Sequence, residues 1–162
     1  MAVRWGTFAL SEPQIAALGR RILAKYGLAY LATVTGKGHP RLHPVCPALI
    51  GDGLYLGVVA ESPKRHDLDR TGRYSLHGLP GPGDAEFAVC GAAKPLSDAL
   101  VADLRATAGP RVKFHPTSVI YELLLSRAWL ITYDRTAGPD PKPVKLAWMA
   151  GQAEPRTSRG AA

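Results

Sequence analysis

Apolar residues recur along this chain in two periods, and the change of period divides it into parts. Ile15, Leu18, Ile22 and Tyr26 repeat at helical spacing. Ser11 with Gln14 reads as a capping box, and Gly27 stands where a helix ends. The spacing predicts a helix over 12–26. After Gly27 the pattern shortens to extended runs. Residues 28–34 form an apolar run, and Thr35-Gly36-Lys37-Gly38 is a turn. Prolines 40, 44 and 47 exclude a helix from 40–50. Gly51-Asp52-Gly53 reads as a hairpin turn into a third strand over 54–59.

Ser62-Pro63-Lys64 then opens a short helix that runs to about Arg70. Strands are predicted over 73–79 and 86–96, with Gly91 marking a bulge or a close backbone approach. Ser97 starts another helix that carries Leu100, Val101 and Leu104 on one face. Strands over 118–125 and 128–133 flank a turn at Ser126-Arg127, and a last strand covers 144–149. Connections this short make the strands antiparallel. The predicted fold is mainly β (α+β): a six- to seven-stranded antiparallel barrel, closed or partly split, with two to three flanking helices.

Composition narrows the class. The chain has 162 residues, 46% hydrophobic and 20% charged, which suits one domain with one core. No apolar run approaches the ~20 residues of a membrane helix. Met1 to Leu10 holds no apolar signal region, so a cytoplasmic protein is expected. The expected domain spans 1–150, and the Gly/Ala/Ser-rich 151–162 is expected to be a disordered tail. The formal net charge is +7, but the basic residues are scattered rather than massed on one helix. That argues against a nucleic-acid surface and suits either solvation or a phosphate-bearing small ligand. Cys46 and Cys90 lack metal-motif spacing and are read as buried free thiols.

The chemistry gathers between Gly38 and Leu68. Ser62, Lys64 and Arg65 fall in the first turn of the short helix. Free backbone N–H groups there attract an anion, and a hydroxyl with two cations completes a phosphate cradle. The plainer alternative, which these residues taken alone favour, is a Ser-capped surface helix. The five histidines show no metal-ligand pair on a helix, so no metal site is expected. No Gly-x-Ser-x-Gly motif or activated cysteine is present, so nucleophilic catalysis is not expected.

The ordered set from 28 to 96 resembles the flavin-binding split barrels of the pyridoxamine 5'-phosphate oxidase family. It consists of a Gly-x-Pro strand, Leu-Tyr-Leu-Gly, Ser-x-Lys followed by Asp-Leu, Tyr-Ser-Leu, and Glu-Phe-Ala-Val-Cys-Gly-Ala-Ala. The resemblance implies that Ser62 and Lys64 hold a cofactor phosphate. His43 stands where the oxidase has an arginine, so Arg41 or Arg65 would supply the guanidinium. Pro44 and Val45 would pass along the isoalloxazine ring, with the backbone of Gly57 and Val58 lining it from the next strand. Glu86 falls at the place of a ring-contacting glutamine. The implied cofactor is FMN, with a deazaflavin coenzyme as the alternative and haem behind both. The implied assembly is a homodimer whose partner chain completes each pocket, with Trp129, Trp148 and the run 120–125 as expected interface surface. The oxidase's arginine-rich C-terminal segment is absent after Trp148. The implied activity is therefore the broader one: a flavin- or deazaflavin-dependent oxidoreductase acting on a small organic molecule. The alternative is a non-catalytic binder of FMN, haem or another tetrapyrrole.

Overall fold

A computed structural model describes residues 1–109, 112, 114–136 and 140–152, together with the backbone of 156–159. Four α-helices are described: α1 (Trp5–Ser11), α2 (Pro13–Tyr26), α3 (Pro63–Thr71) and α4 (Asp98–Thr107). The strands are β1 (Ala29–Val34), β2 (Pro40–Val45), β3 (Pro47–Ile50), β4 (Gly53–Val59), β5 (Arg73–Gly78), β6 (Glu86–Pro95), β7 (Ser118–Asp134), β8 (Lys142–Met149) and β9 (Arg156–Arg159). They form one antiparallel sheet in the order β2-β1-β5-β6-β7-β4-β3. β3 follows β2 after the single residue Cys46. The ring therefore closes through the chain itself, as one bent strand pairs with β1 below Cys46 and with β4 above it. This is a split barrel of the predicted class.

The long β7 is the axis of the split. Along 118–122 it pairs with β4, along 127–134 it pairs with β8, and on its other edge it pairs with β6. The turn expected at Ser126-Arg127 is instead a β-bulge within one continuous strand. Cys90 pairs with Arg127 and Gly91 with Leu125, which leaves Ser126 as the extra residue. Gly91 is required there, because a Cβ at that position would lie 2.0 Å from the Leu124 carbonyl oxygen. The sequence reading located the irregularity correctly on β6 and mistook its counterpart on β7 for a chain reversal.

The N-terminal segment, to which the sequence pattern assigned no element, forms α1. Trp5 and Phe8 are buried and pack edge-to-face, Trp5 also against Phe87 and Phe8 against Trp148. Ser11 does not cap α2. Its hydroxyl donates to the Phe8 carbonyl at the end of α1, and α2 begins at Pro13 without a side-chain cap. α2 buries Ile15, Ala16, Gly19, Ile22 and Leu23 over the barrel, while Tyr26 is exposed. Gly19 lets the Phe87 ring approach so closely that a Cβ would meet it at 2.5 Å. The core joins this helical cover to the barrel interior, where Leu31, Val45, Leu54, Val58, Leu76, Val89 and Leu123 are buried. Trp148 and most of 120–125 are buried within this core, so they do not offer interface surface. Part of the expected irregular tail, Arg156–Arg159, forms β9 against β8. No helix of the described residues is long and apolar enough to cross a membrane.

Candidate anion-binding site

Strand alternation decides what β2 presents. Arg41, His43 and Val45 are progressively covered on one face, and Pro40, Leu42 and Pro44 are exposed on the other. On the covered face the register sets Thr33 of β1 opposite Arg41 and Leu31 opposite His43. α3 packs over this end of the barrel against β1 and β4. Leu68 anchors it in the core, and Arg70 ties its last turn to the Val34 carbonyl.

Asp67 of α3 is buried and accepts a hydrogen bond from Thr33 Oγ1 at 2.8 Å. The same carboxylate oxygen lies 3.0 Å from Arg41 Nε. Lys64, one turn earlier on α3, has no hydrogen bond or ion pair among the described residues and sits half-exposed at the same cluster. Burial, and then the charges of Lys64 and Arg41, hold the His43 imidazole below its ordinary pKa, with Asp67 opposing them. His43 Nε2 is buried without a hydrogen-bond partner among the described residues. Ser62 stands at the N-cap of α3, yet its side chain makes no capping bond.

The structure thus brings His43 and Lys64 together, with Ser62 at the adjoining helix start and Arg41 and Asp67 beside them. Arg65 points elsewhere. Its Nε lies 3.1 Å from Asp69, and its NH1 donates to the Ala60 carbonyl. The Tyr121 hydroxyl donates to that same Asp69. Val45 and Val58 are core side chains, whereas Pro44 is on the outer face. Gly57 faces outward, where a Cβ would meet Phe114 at 2.8 Å. Phe114 also lines a cavity of about 670 Å³ with Arg20, Cys46, Ala48 and Leu54. Around the expected ring position, these strands therefore offer backbone edges and the outer face more than inward side chains. Glu86 is at the far end of β6, where it accepts a hydrogen bond from Tyr133 at 2.8 Å and faces His77 at 3.7 Å. Within one chain it does not join the cluster.

Both cysteines are free. Cys46 is exposed at the bend between β2 and β3, contrary to the expected buried thiol. Cys90 is half-buried, and burial pushes its thiol pKa up, which fits an unreactive sulfur. No group of three or more metal-ligating side chains converges among the described residues. Thr33 was not singled out from sequence, and Asp67 was named only within the Asp-Leu motif, without a role. Their signal was present in the i, i+2 alternation of β1 with Leu31 and in the i, i+3 spacing of Asp67 from Lys64, which places the two on one helix face.

No protein-family model matches the sequence, and no curated protein matches it. Solved structures do. One is PhzG from Burkholderia lata 383, solved with tetrahydrophenazine-1-carboxylic acid. It superimposes with a TM-score of 0.67 at 17% identity, over 98% of this chain and 93% of that one. A pyridoxamine 5'-phosphate oxidase-related, FMN-binding protein from Nostoc punctiforme PCC 73102 gives 0.62 at 12% identity, over 93% of this chain and 96% of that one. A haem-binding protein from Mycobacterium smegmatis gives 0.61 at 19% identity, over 91% of this chain but 59% of that one. At these identities the likeness concerns the fold, and the chain has the split-barrel fold of the pyridoxamine 5'-phosphate oxidase-related proteins.

Proposed function

We propose that the chain binds FMN or a deazaflavin coenzyme and works as an oxidoreductase on a small organic molecule. The observation that carries this reading is the cationic cluster on the covered face of β2: Lys64 without an anionic partner, Arg41, and His43 with its buried, unpartnered Nε2. Such a donor set suits a phosphate, and the uncapped Ser62 adds a hydroxyl and a helix N-terminus. The residues present therefore fit a phosphate-bearing cofactor. A bound flavin or deazaflavin would supply the hydride chemistry. The protein's part would be to fix the phosphate, lay the ring along the β2 and β4 edges and exclude water.

A second copy of the chain belongs to the same proposal. Tyr30, Val34, Leu42 and Pro44 are exposed together on the outer face of β1 and β2, Leu42 to 65%. The register pairs Tyr30 with Pro44, so this is one contiguous apolar patch. It lies on the same strand as the cluster, one residue away on the opposite face. A copy docked there would pack against the back of the strand that carries the cluster.

The haem alternative has one observation in its favour. Burial and the neighbouring cations favour the neutral form of the His43 imidazole, and its Nε2 has no hydrogen-bond partner among the described residues, as would suit a haem ligand. The visible spectrum of the purified protein, followed by mass analysis of what denaturation releases, separates the two readings. A flavin or deazaflavin absorbance supports the first, and a Soret band lost in His43→Gln supports the second. Lys64→Ala then tests the cradle. FMN affinity is expected to fall on the order of 10- to 100-fold, the worth of a charge-assisted hydrogen bond. Wild-type affinity in Lys64→Ala would remove the cradle.

A further inference from the structure

A cavity of about 670 Å³ opens beside the bend between β2 and β3. Pockets for small organic molecules span about 300–1,000 Å³, so its size suits one such molecule. Its walls are apolar: Leu23 of α2, Leu49 of β3, Leu54 of β4 and the Phe114 ring. Cys46 adds an exposed thiol at the bend. Among the described residues that line the cavity, Arg20 of α2 is the one charged side chain, and none is a carboxylate.

Arg20 is steadied by a ring instead of an anion. Its guanidinium lies over the buried Trp5, 5.9 Å from the ring centre, and it makes no ion pair or hydrogen bond among the described residues. A contact of this kind occupies the flat face of a guanidinium and leaves its edge N–H groups free. Two of those groups form the fork that matches a carboxylate through parallel bonds. A single cation suits a monoanion, and the apolar walls leave the rest of the ligand no charge to carry. Phe114 adds an aromatic surface, against which a ring packs well.

The cavity also reaches both strands along which a cofactor ring would lie. Cys46 directly follows Val45, the last residue of β2. Phe114 stands against Gly57 of β4, where a Cβ would meet it at 2.8 Å. Resting on the reading of the protein as a flavin- or deazaflavin-dependent oxidoreductase, we infer that this cavity is its substrate pocket and that the substrate is an apolar ring compound bearing a carboxylate. Arg20, exposed at the rim, receives the carboxylate, and the apolar walls enclose the ring. A neutral analogue of the same shape leaves the guanidinium unpaired and binds more weakly.

The probe is 2-naphthoate, and its control is 2-naphthamide, which has the same ring and no charge. Calorimetry of the purified protein is expected to show 2-naphthoate binding more tightly by about 10-fold or more. Arg20→Gln should remove that preference and leave 2-naphthamide affinity unchanged, and Arg20→Lys, which keeps the charge without the fork, should recover part of it. Far-ultraviolet circular dichroism confirms that both variants are folded. Equal binding of the two probes by wild type, or an undiminished preference in Arg20→Gln, overturns the role of Arg20. Alkylation by iodoacetamide locates the bound probe. Saturating 2-naphthoate should slow modification of Cys46 several-fold, with Cys90, which does not line the cavity, as the internal reference in peptide mass spectra. A Cys46 that saturating probe does not protect overturns the cavity as the site. In the FMN-loaded protein, 2-naphthoate should shift the flavin absorbance bands, and an unchanged spectrum overturns the assignment as substrate pocket. Protein that takes up no FMN refutes the cofactor reading and the substrate assignment with it, whereas the comparison of the two probes, made without cofactor, still decides on the carboxylate site.

Discussion

Replacing Gly91 with alanine tests the register on which the barrel depends. The added Cβ would lie 2.0 Å from the Leu124 carbonyl oxygen, 2.8 Å from the Ser126 nitrogen and 3.0 Å from the Leu124 carbonyl carbon. All three are backbone atoms, so no side chain can swing aside. Reaching even the closest separation that real Cβ atoms show requires β6 and β7 to part by about an ångström at the bulge. That displacement stretches two or three ladder hydrogen bonds, each worth about 0.5–1.5 kcal/mol net, and adds overpacking of about 1–3 kcal/mol. The lower unfolded-state entropy of alanine returns about 0.4–1 kcal/mol. The net expectation is a loss of about 2–4 kcal/mol, which lowers the melting midpoint by about 5–15 °C in a chain of this size. Gly36→Ala is the control, since its nearest contact would be Arg70 Nε at 3.9 Å and its φ is not in the left-handed region. It should be neutral or slightly stabilising. Thermal and urea unfolding of both variants measure the difference. If Gly91→Ala melts together with Gly36→Ala, the bulge at Ser126 is misplaced, and so is the point at which β7 divides between β4 and β8.

Four further outcomes are expected. In the ligand-free protein, burial and the neighbouring cations depress the His43 pKa, so the unfolded chain takes up the proton first as pH falls. Stability should then decline as pH drops below the ordinary histidine range, and His43→Gln should flatten that slope in unfolding measured from pH 7.5 to 5. A bound phosphate reverses the preference. FMN affinity should therefore rise as pH falls toward ~6, until protonation of the phosphate itself opposes it, and calorimetry of wild type against His43→Gln reads the difference. Arg65→Ala should leave cofactor affinity unchanged and cost at most about 0.5 kcal/mol, because its pair with Asp69 is more than a third exposed. Leu42→Arg places a charge in the exposed apolar patch of β1 and β2, and sedimentation should show it shifting a dimer toward the 17.3 kDa monomer while the fold persists.

Much of the barrel was legible in sequence because its signals are local. The glycine turns, the proline-bearing extended segment and the alternation in 86–96 each specify an element without help from the rest of the chain. What escaped depends on contacts distant in sequence. α1 has only Trp5 and Phe8 to announce it, and these become core residues only when Phe87 and Trp148 arrive. The polar pair Ser126-Arg127 reads as a turn until Gly91, 35 positions earlier, supplies the flat surface that lets β7 run straight through. In the site, Ser62, Lys64 and His43 were legible as residue types at a helix start and on a strand. Their electrostatic setting was not, because Thr33, Arg41 and Asp67 meet only after β1, β2 and α3 are assembled.

On the proposed reading, the six residues of β2 couple cofactor binding to self-association. Alternation gives Arg41 and His43 to the cationic cluster and Leu42 and Pro44 to the outer apolar patch. A strand cannot exchange these faces without a register slip, and a slip is blocked along its paired edge and at its C-terminal end. β1 pairs with it from Ala29 to Val34, and the one-residue joint at Cys46 binds it to β3 and thus to β4. The alternation that assigns Arg41 and His43 to the cluster therefore also fixes which apolar side chains face away from it. A partner docked on Leu42 and Pro44 would buttress β2 from behind and hold Arg41 and His43 in place. Cofactor binding would in turn stiffen the strand the partner rests on. Linkage requires the two effects to be equal, so FMN at saturating concentration should strengthen dimerisation by the same factor by which dimerisation strengthens FMN binding. Sedimentation at a series of protein concentrations, with FMN and with riboflavin, measures that factor. Equal dimer affinity with and without FMN would separate the two faces of the strand and refute the coupling.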